Sequence, residues 1–236
     1  MDSPTPPMPQ AKEKITVPVI CATRDSQGAV AYSIATIWNA LNMMGREPIY
    51  IQFAAHGYAF VRAGVFNELK KEFNTDRVRG ILIDDDILIK DQLELIKAIT
   101  TADQYGWNFV APYRVRDGFV ALAHEDGSLF TVAETKQLRP WDRVPNAGLG
   151  FYYGWLPLDY KFHEDGAFGG EDLNFFWDNP WIEPRVYGLG LKHLKTVELD
   201  METNIPLHKR PPSAGPHIER PKPPLDEEGN KRRIRE

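Results

Sequence analysis

The chain has 236 residues, with 28 Lys and Arg against 33 Asp and Glu, a formal charge of -5, 42 % apolar residues and 26 % charged residues, the composition of an ordinary globular protein. No run approaches the ~18 consecutive apolar residues of a membrane span, and the opening MDSPTPPMPQAKEK lacks the apolar core of a secretory signal, so a cytoplasmic protein, at most peripheral to a membrane, is expected. A single cysteine, Cys21, excludes an internal disulfide and a cysteine-based zinc site, and the acidic balance argues against nucleic acid as a partner.

Ten of the 19 prolines crowd the two ends of the chain. Such segments bury little apolar surface. Residues 1–14 are therefore expected as a flexible Pro-rich arm and residues 209–236 as a Pro-rich tail, leaving 15–208 as one domain. The tail ends in Lys231, Arg232, Arg233 and Arg235, either a solvated terminus or a patch that docks on a partner chain or an anionic membrane surface.

Ile15 to Ala22 is short, apolar and β-branched, which predicts a strand buried on both faces. A polar loop, Thr23 to Gly28, leads into a helix over 29–44, with Val30, Ile34, Ile37 and Leu41 in one stripe and Gly45 placed as its C-cap. Pro48 to Phe53 predicts a second strand. Tyr58 to Phe73 predicts a second helix, with Val61, Val65, Leu69 and Phe73 in a row. Gly80 to Ile83 is a third strand that runs into Asp84, Asp85 and Asp86. Asp91 and Glu94 form a capping-box pattern ahead of Leu95, Ile99 and Ala102, and Asn108 to Ala111 is a fourth strand.

The order β-α-β-α-β-α-β implies an α/β fold with a mostly parallel central sheet flanked by helices, whose ligands bind beyond the carboxyl ends of the strands. The second half is expected to be smaller and more antiparallel. Phe119 to Ala123 and Leu129 to Ala133 flank a polar turn and predict a hairpin. A loop with Pro140 and Trp141 follows, then a Gly- and aromatic-rich stretch from Asn146 to Trp155, a short helix from about Glu171, and a late strand over Leu194 to Leu199.

Three clusters carry candidate chemistry. Asp84, Asp85 and Asp86 repel one another at a predicted strand end, which favours a neutralising cation over a solvated acidic turn; Mg²⁺ and Mn²⁺ take carboxylates together with substrate phosphates. Side-chain alternation pairs Asp84 with Asp86. Gly169-Gly170-Glu171-Asp172 puts two carboxylates in a first helical turn, where they serve either the helix dipole or, in a cleft, general-base chemistry. His208 closes the alternating stretch from Val197 as a surface residue or as an imidazole ligand. His56, His124, His163 and His193 have no spacing that singles them out.

Taken in order, these elements resemble a GT-A-fold (Rossmann-like) glycosyltransferase of the kind related to family 2. Ile81-Leu82-Ile83-Asp84-Asp85-Asp86-Ile87 resembles the strand and DxD motif. Asn146-Ala147-Gly148-Leu149-Gly150-Phe151 resembles the acceptor-side segment, and Gly170-Glu171-Asp172-Leu173-Asn174-Phe175 resembles the start of the catalytic helix. The resemblance implies a metal-dependent, inverting transfer from a UDP- or GDP-sugar to a glycan, lipid or protein acceptor. It implies Asp172 as the base, Gly148, Gly150 and Glu171 on the acceptor side, and Asp84, Asp86 and His208 around Mn²⁺ or Mg²⁺. Nucleotide-sugar contacts are implied for Asp84 and Asp85, for Arg62 and for Thr23, Arg24 and Asp25, although the family's usual segment after the first strand contains a Pro that is missing here. Trp141, Phe151, Tyr152, Tyr153 and Trp155 either stack on an acceptor or pack the core. A haloacid-dehalogenase-like phosphatase, a nucleotidyltransferase and a catalytically silent nucleotide-sugar-binding module are the alternatives.

Overall fold

The computed structural model describes residues 14–23, 28–54, 58–116, 118–163 and 171–193. The first half follows the expected alternation: β1 (Thr16–Thr23), α1 (Gly28–Met43), β2 (Glu47–Ala54), α2 (Tyr58–Phe73), β3 (Arg77–Asp84), β4 (Ile87–Leu88), α3 (Gln92–Tyr105) and β5 (Asn108–Val110). The second half holds β6 (Arg114–Arg116), β7 (Phe119–Ala123), β8 (Leu129–Thr131), α4 (Val132–Thr135), β9 (Asn146–Ala147), β10 (Phe151–Pro157), α5 (Glu171–Asp178), β11 (Pro184–Val186) and β12 (Lys192–His193).

Local chemistry accounts for the helix ends. The peptide N–H of Arg46 donates to the Leu41 carbonyl at 2.9 Å across Gly45, whose φ of +70° is a left-handed conformation that favours glycine. The Asp91 side chain caps α3 by accepting from the Glu94 N–H at 2.9 Å. Thr131 ends the predicted second hairpin strand early, because Thr131 and Glu134 form a capping box that starts α4 where a strand to Ala133 was expected.

The central sheet has six strands in the order β11-β5-β10-β3-β1-β2. β1 pairs in parallel with both β2 and β3, and β11 pairs in parallel with β5. Only β10 runs against the rest, wedged between β3 and β5. The fold is thus α/β with a mostly parallel sheet. A smaller antiparallel sheet, β6-β7-β8 with β9 beside β7, and the two-stranded β4-β12 pair stand apart from it.

Both faces of the central sheet are buried, as its continuous apolar strands require. Val19, Cys21, Ile81 and Ile83 point into a cluster with Ile37 and Leu41 of α1 and Leu95 and Ile99 of α3. Ile20 and Leu82 point the other way, onto Val65, Phe66 and Leu69 of α2 and Phe175 and Phe176 of α5. Tyr152 and Tyr153 divide between the same two clusters.

At the amino end of β3 a partly buried polar network joins α3, β3, β10 and the connection between α1 and β2. Tyr153 donates its hydroxyl to Asp103 at 2.7 Å and accepts from Arg46 at 2.8 Å. Arg46 also pairs with Asp103, and Arg79 Nε lies 3.0 Å from the same carboxylate. Burial, and then the Asp103 charge, pushes the Tyr153 hydroxyl above its ordinary pKa, so it stays a donor. Asp103→Ala leaves two guanidinium groups without their carboxylate and should destabilise the fold by about 3 kcal/mol, seen as a lower urea midpoint at unchanged slope. A midpoint within experimental error of the parent would show that the network contributes nothing.

Candidate functional site

β3 delivers the acidic trio to the carboxyl edge of the sheet, and the strand ends at Asp84. Strand alternation ends there, because Asp85 and Asp86 form the turn into β4. Asp85 is buried, and its charge, after burial itself and Cys21, helps to push the Tyr50 hydroxyl of β2 well above its ordinary pKa. Asp86 is 7 % exposed and faces the β4-β12 side, where its Oδ2 lies 3.4 Å from Nε2 of His193.

Pairing carries His193 to that position. β12 runs antiparallel to β4 with His193 opposite Ile87. Ser33 of α1 fixes β4 by donating to the Ile87 carbonyl at 2.7 Å and accepting from the Ile89 N–H at 3.0 Å. The Tyr113 ring lies 5.1 Å from the imidazole, centroid to centroid. Local sequence gave no sign of this histidine. Its partner strand is two residues long and lies about a hundred residues earlier, so no periodicity marks it.

The Gly-rich segment before β10 joins the trio to α5. The Asp84 N–H donates to the Gly150 carbonyl at 3.0 Å. The next residue back, Leu149, donates its N–H to Asp172 Oδ2 at 3.1 Å. Asp172 thus bonds to a segment outside its own helix. Gly148 and Gly150 allow the approach of Tyr113: a Cβ on Gly150 would come within 2.4 Å of its ring, and one on Gly148 within 3.1 Å of its hydroxyl and 3.6 Å of Asp172 Oδ2.

Of the residues expected at a site, Asp84, Asp85, Asp86, Gly148, Gly150 and Asp172 gather at this sheet edge. Thr23 ends β1 and pairs with Ala54 at the same edge. Arg24, Asp25 and His208, with the expected strand at 194–199, lie outside the described residues, as do the side chains of Arg62 in α2 and Glu171 in α5. The aromatic candidates lie elsewhere. Phe151, Tyr152 and Tyr153 are fully buried core, Trp141 packs on Phe109 and Tyr187, and Trp155 lies under Arg77 and Arg79 at the opposite end of β10. His163 and His124 are committed to Asp178 and Glu134 away from the trio.

Among the described residues no set of three His, Cys, Asp or Glu side chains forms a ready-made metal cage. Asp86 and His193 are a two-residue start, which suits an ion that takes the rest of its shell from substrate phosphates and water.

No protein-family model matches the chain, and no curated protein matches it. Among solved structures it is similar to a glycosyltransferase involved in the glycosylation of the major capsid of PBCV-1, at 12 % identity and a TM-score of 0.39, over 76 % of this chain and 94 % of that one. No described helix is long and apolar enough to cross a membrane.

Gly150→Ala should force the Tyr113 ring aside and destabilise the protein by about 1–3 kcal/mol. In a Tyr113→Ala background the same change should cost much less. Denaturant midpoints of the four proteins in this cycle measure the difference, and equal costs in both backgrounds would rule out the contact.

Proposed function

We propose that this chain is a glycosyltransferase that moves a sugar from a nucleotide-diphosphate donor, a UDP- or GDP-sugar, to an acceptor hydroxyl with inversion at the anomeric carbon. One observation carries the reading: Asp84, Asp86 and His193 meet Asp172 at a single sheet edge, joined through the Gly150 carbonyl and the Leu149 N–H. The donor diphosphate lies over the trio, and the acceptor enters from the Gly148 and Asp172 side.

Asp86 and His193 would hold Mn²⁺ or Mg²⁺ in this reading, with Asp84 beside them toward the nucleotide. We assign the imidazole to His193 because it stands at the Asp86 carboxylate; His208 is outside the described residues. The ion, when bound, supplies Lewis-acid stabilisation of the negative charge that collects on the leaving diphosphate. Asp172 accepts the proton of the acceptor hydroxyl while that oxygen bonds to the anomeric carbon, and the bond from that carbon to the diphosphate oxygen breaks on the opposite face. The hydrogen bond from Leu149 holds the Asp172 carboxylate in the orientation this transfer needs.

Asp172→Asn should keep nucleotide binding, measured by calorimetry with UDP and GDP, and lower transfer by about 10²–10⁴-fold. A rate within a few-fold of the parent would place the base elsewhere. Asp86→Ala and, separately, His193→Ala should abolish cleavage of the donor and its stimulation by Mn²⁺, with the thermal transition retained. Full turnover in excess EDTA would remove the metal from the account.

A further inference from the structure

Tyr113 lies in the link from β5 to β6 and is 8 % exposed. Backbone bonds set it beside the Gly-rich segment that precedes β10. The Ala121 N–H donates to the Tyr113 carbonyl at 2.9 Å, and the Gly148 N–H donates to the Ala121 carbonyl at 3.0 Å. From there its side chain reaches both parts of the candidate site.

The first part is His193. The two rings lie 5.1 Å apart at an angle of 45°, and the imidazole is 9 % exposed. β12 adjoins β6 and pairs with β4 over two residues. Such a ladder fixes the backbone of His193, whereas the rotamer of its imidazole is set by the groups packed against it. That rotamer matters for an ion. Contacts that orient a ligating imidazole are worth about 10–100-fold in metal affinity, because a ligand already in place need not turn before it binds.

The second part is segment 148–150. The phenol lies against both glycines: a Cβ at Gly150 would overlap its ring, and one at Gly148 would stand 3.1 Å from its hydroxyl oxygen. The Gly150 carbonyl accepts the Asp84 N–H, and the Leu149 N–H donates to Asp172 Oδ2. In a close-packed interior even a methylene's change of volume is felt by the neighbours. The ring thus bears on His193 directly, and on Asp84 and Asp172 through this segment.

We infer that Tyr113 is a positioning residue for the proposed transfer. Its ring holds the imidazole in the orientation that puts Nε2 of His193 3.4 Å from Asp86 Oδ2. The same ring sets the depth of the segment that bonds Asp84 and Asp172. The inference rests on the sugar-transfer reading and adds to it the side chain that couples the ion corner to the base.

The test uses the full chain with Mn²⁺ and either UDP or GDP. Electron paramagnetic resonance gives the affinity for Mn²⁺, and electron spin echo modulation detects a histidine nitrogen bound to the ion. Tyr113→Leu removes the ring and should weaken Mn²⁺ binding by about tenfold or more, with the nitrogen modulation diminished. Donor cleavage should fall even at saturating Mn²⁺. Tyr113→Phe keeps the ring and should return the affinity to within about threefold of the parent, with the modulation restored. Should Tyr113→Leu fail to fold, Tyr113→Met takes its place, because methionine fills irregular gaps. Unchanged affinity and modulation without the ring, a loss in Tyr113→Phe as large as in Tyr113→Leu, or bound Mn²⁺ without nitrogen modulation in the parent overturns the inference. Sugar transfer then still stands on the parent's own Mn²⁺-dependent cleavage of a UDP- or GDP-sugar. A parent that neither binds Mn²⁺ with either nucleotide nor cleaves either donor overturns both.

Discussion

Everything at the candidate site depends on where one antiparallel strand lies. β10 is inserted between β3 and β5, against the direction of its neighbours, and its first residues therefore arrive at the carboxyl end of β3. Two hydrogen bonds, from Asp84 to the Gly150 carbonyl and from Leu149 to Asp172, then tie the acidic turn to the first turn of α5. A parallel strand in that place would have delivered its other end to this edge. The two glycines matter because Tyr113 presses on the same backbone and leaves no room for a Cβ at Gly150.

The rest of the molecule holds that edge steady from both sides. The central strands bury alternate residues against α1 and α3 on one face and α2 and α5 on the other, so β3 is packed along its length. The Arg46–Asp103–Arg79–Tyr153 network pins the far end of β3 and β10 to α3. The polar network and the candidate site thus occupy opposite ends of the same strand pair, the candidate site at the carboxyl end where open α/β sheets commonly bind ligands. Ser33 extends the support to β4 and, through it, to His193.

Much of the first half was legible in the sequence because its signals are local. The stripes of α1, α2 and α3, the cap at Asp91, the left-handed Gly45 and the apolar run before Asp84 each need only neighbouring residues, and the structure has these elements at nearly the expected positions. The second half was less legible for physical reasons. β10 is buried on both faces and begins beside glycines, so it shows no alternation and reads as an aromatic-rich stretch. Tyr152 and Tyr153 resemble ligand-stacking residues in sequence, but their rings fill the two cores. β4, β11 and β12 are two or three residues long, and pairing across the chain, not propensity, creates them. His193 stayed hidden for that reason. The acidic trio was legible as a cluster at a strand end, whereas the pairing of Asp84 with Asp86 by strand alternation has no footing past Asp84, where β3 gives way to a turn.

The central claim is that the turn after β3 and the β12 imidazole together receive a divalent ion bridged to a nucleotide diphosphate. Anomalous diffraction at the manganese edge, from crystals grown with Mn²⁺ and either UDP or GDP, tests it most directly. The account predicts one strong peak in contact with the Asp86 carboxylate and the His193 ring, with diphosphate oxygens on its open side. A bound nucleotide whose manganese lies away from both residues, or that binds there with no manganese at all, would contradict it.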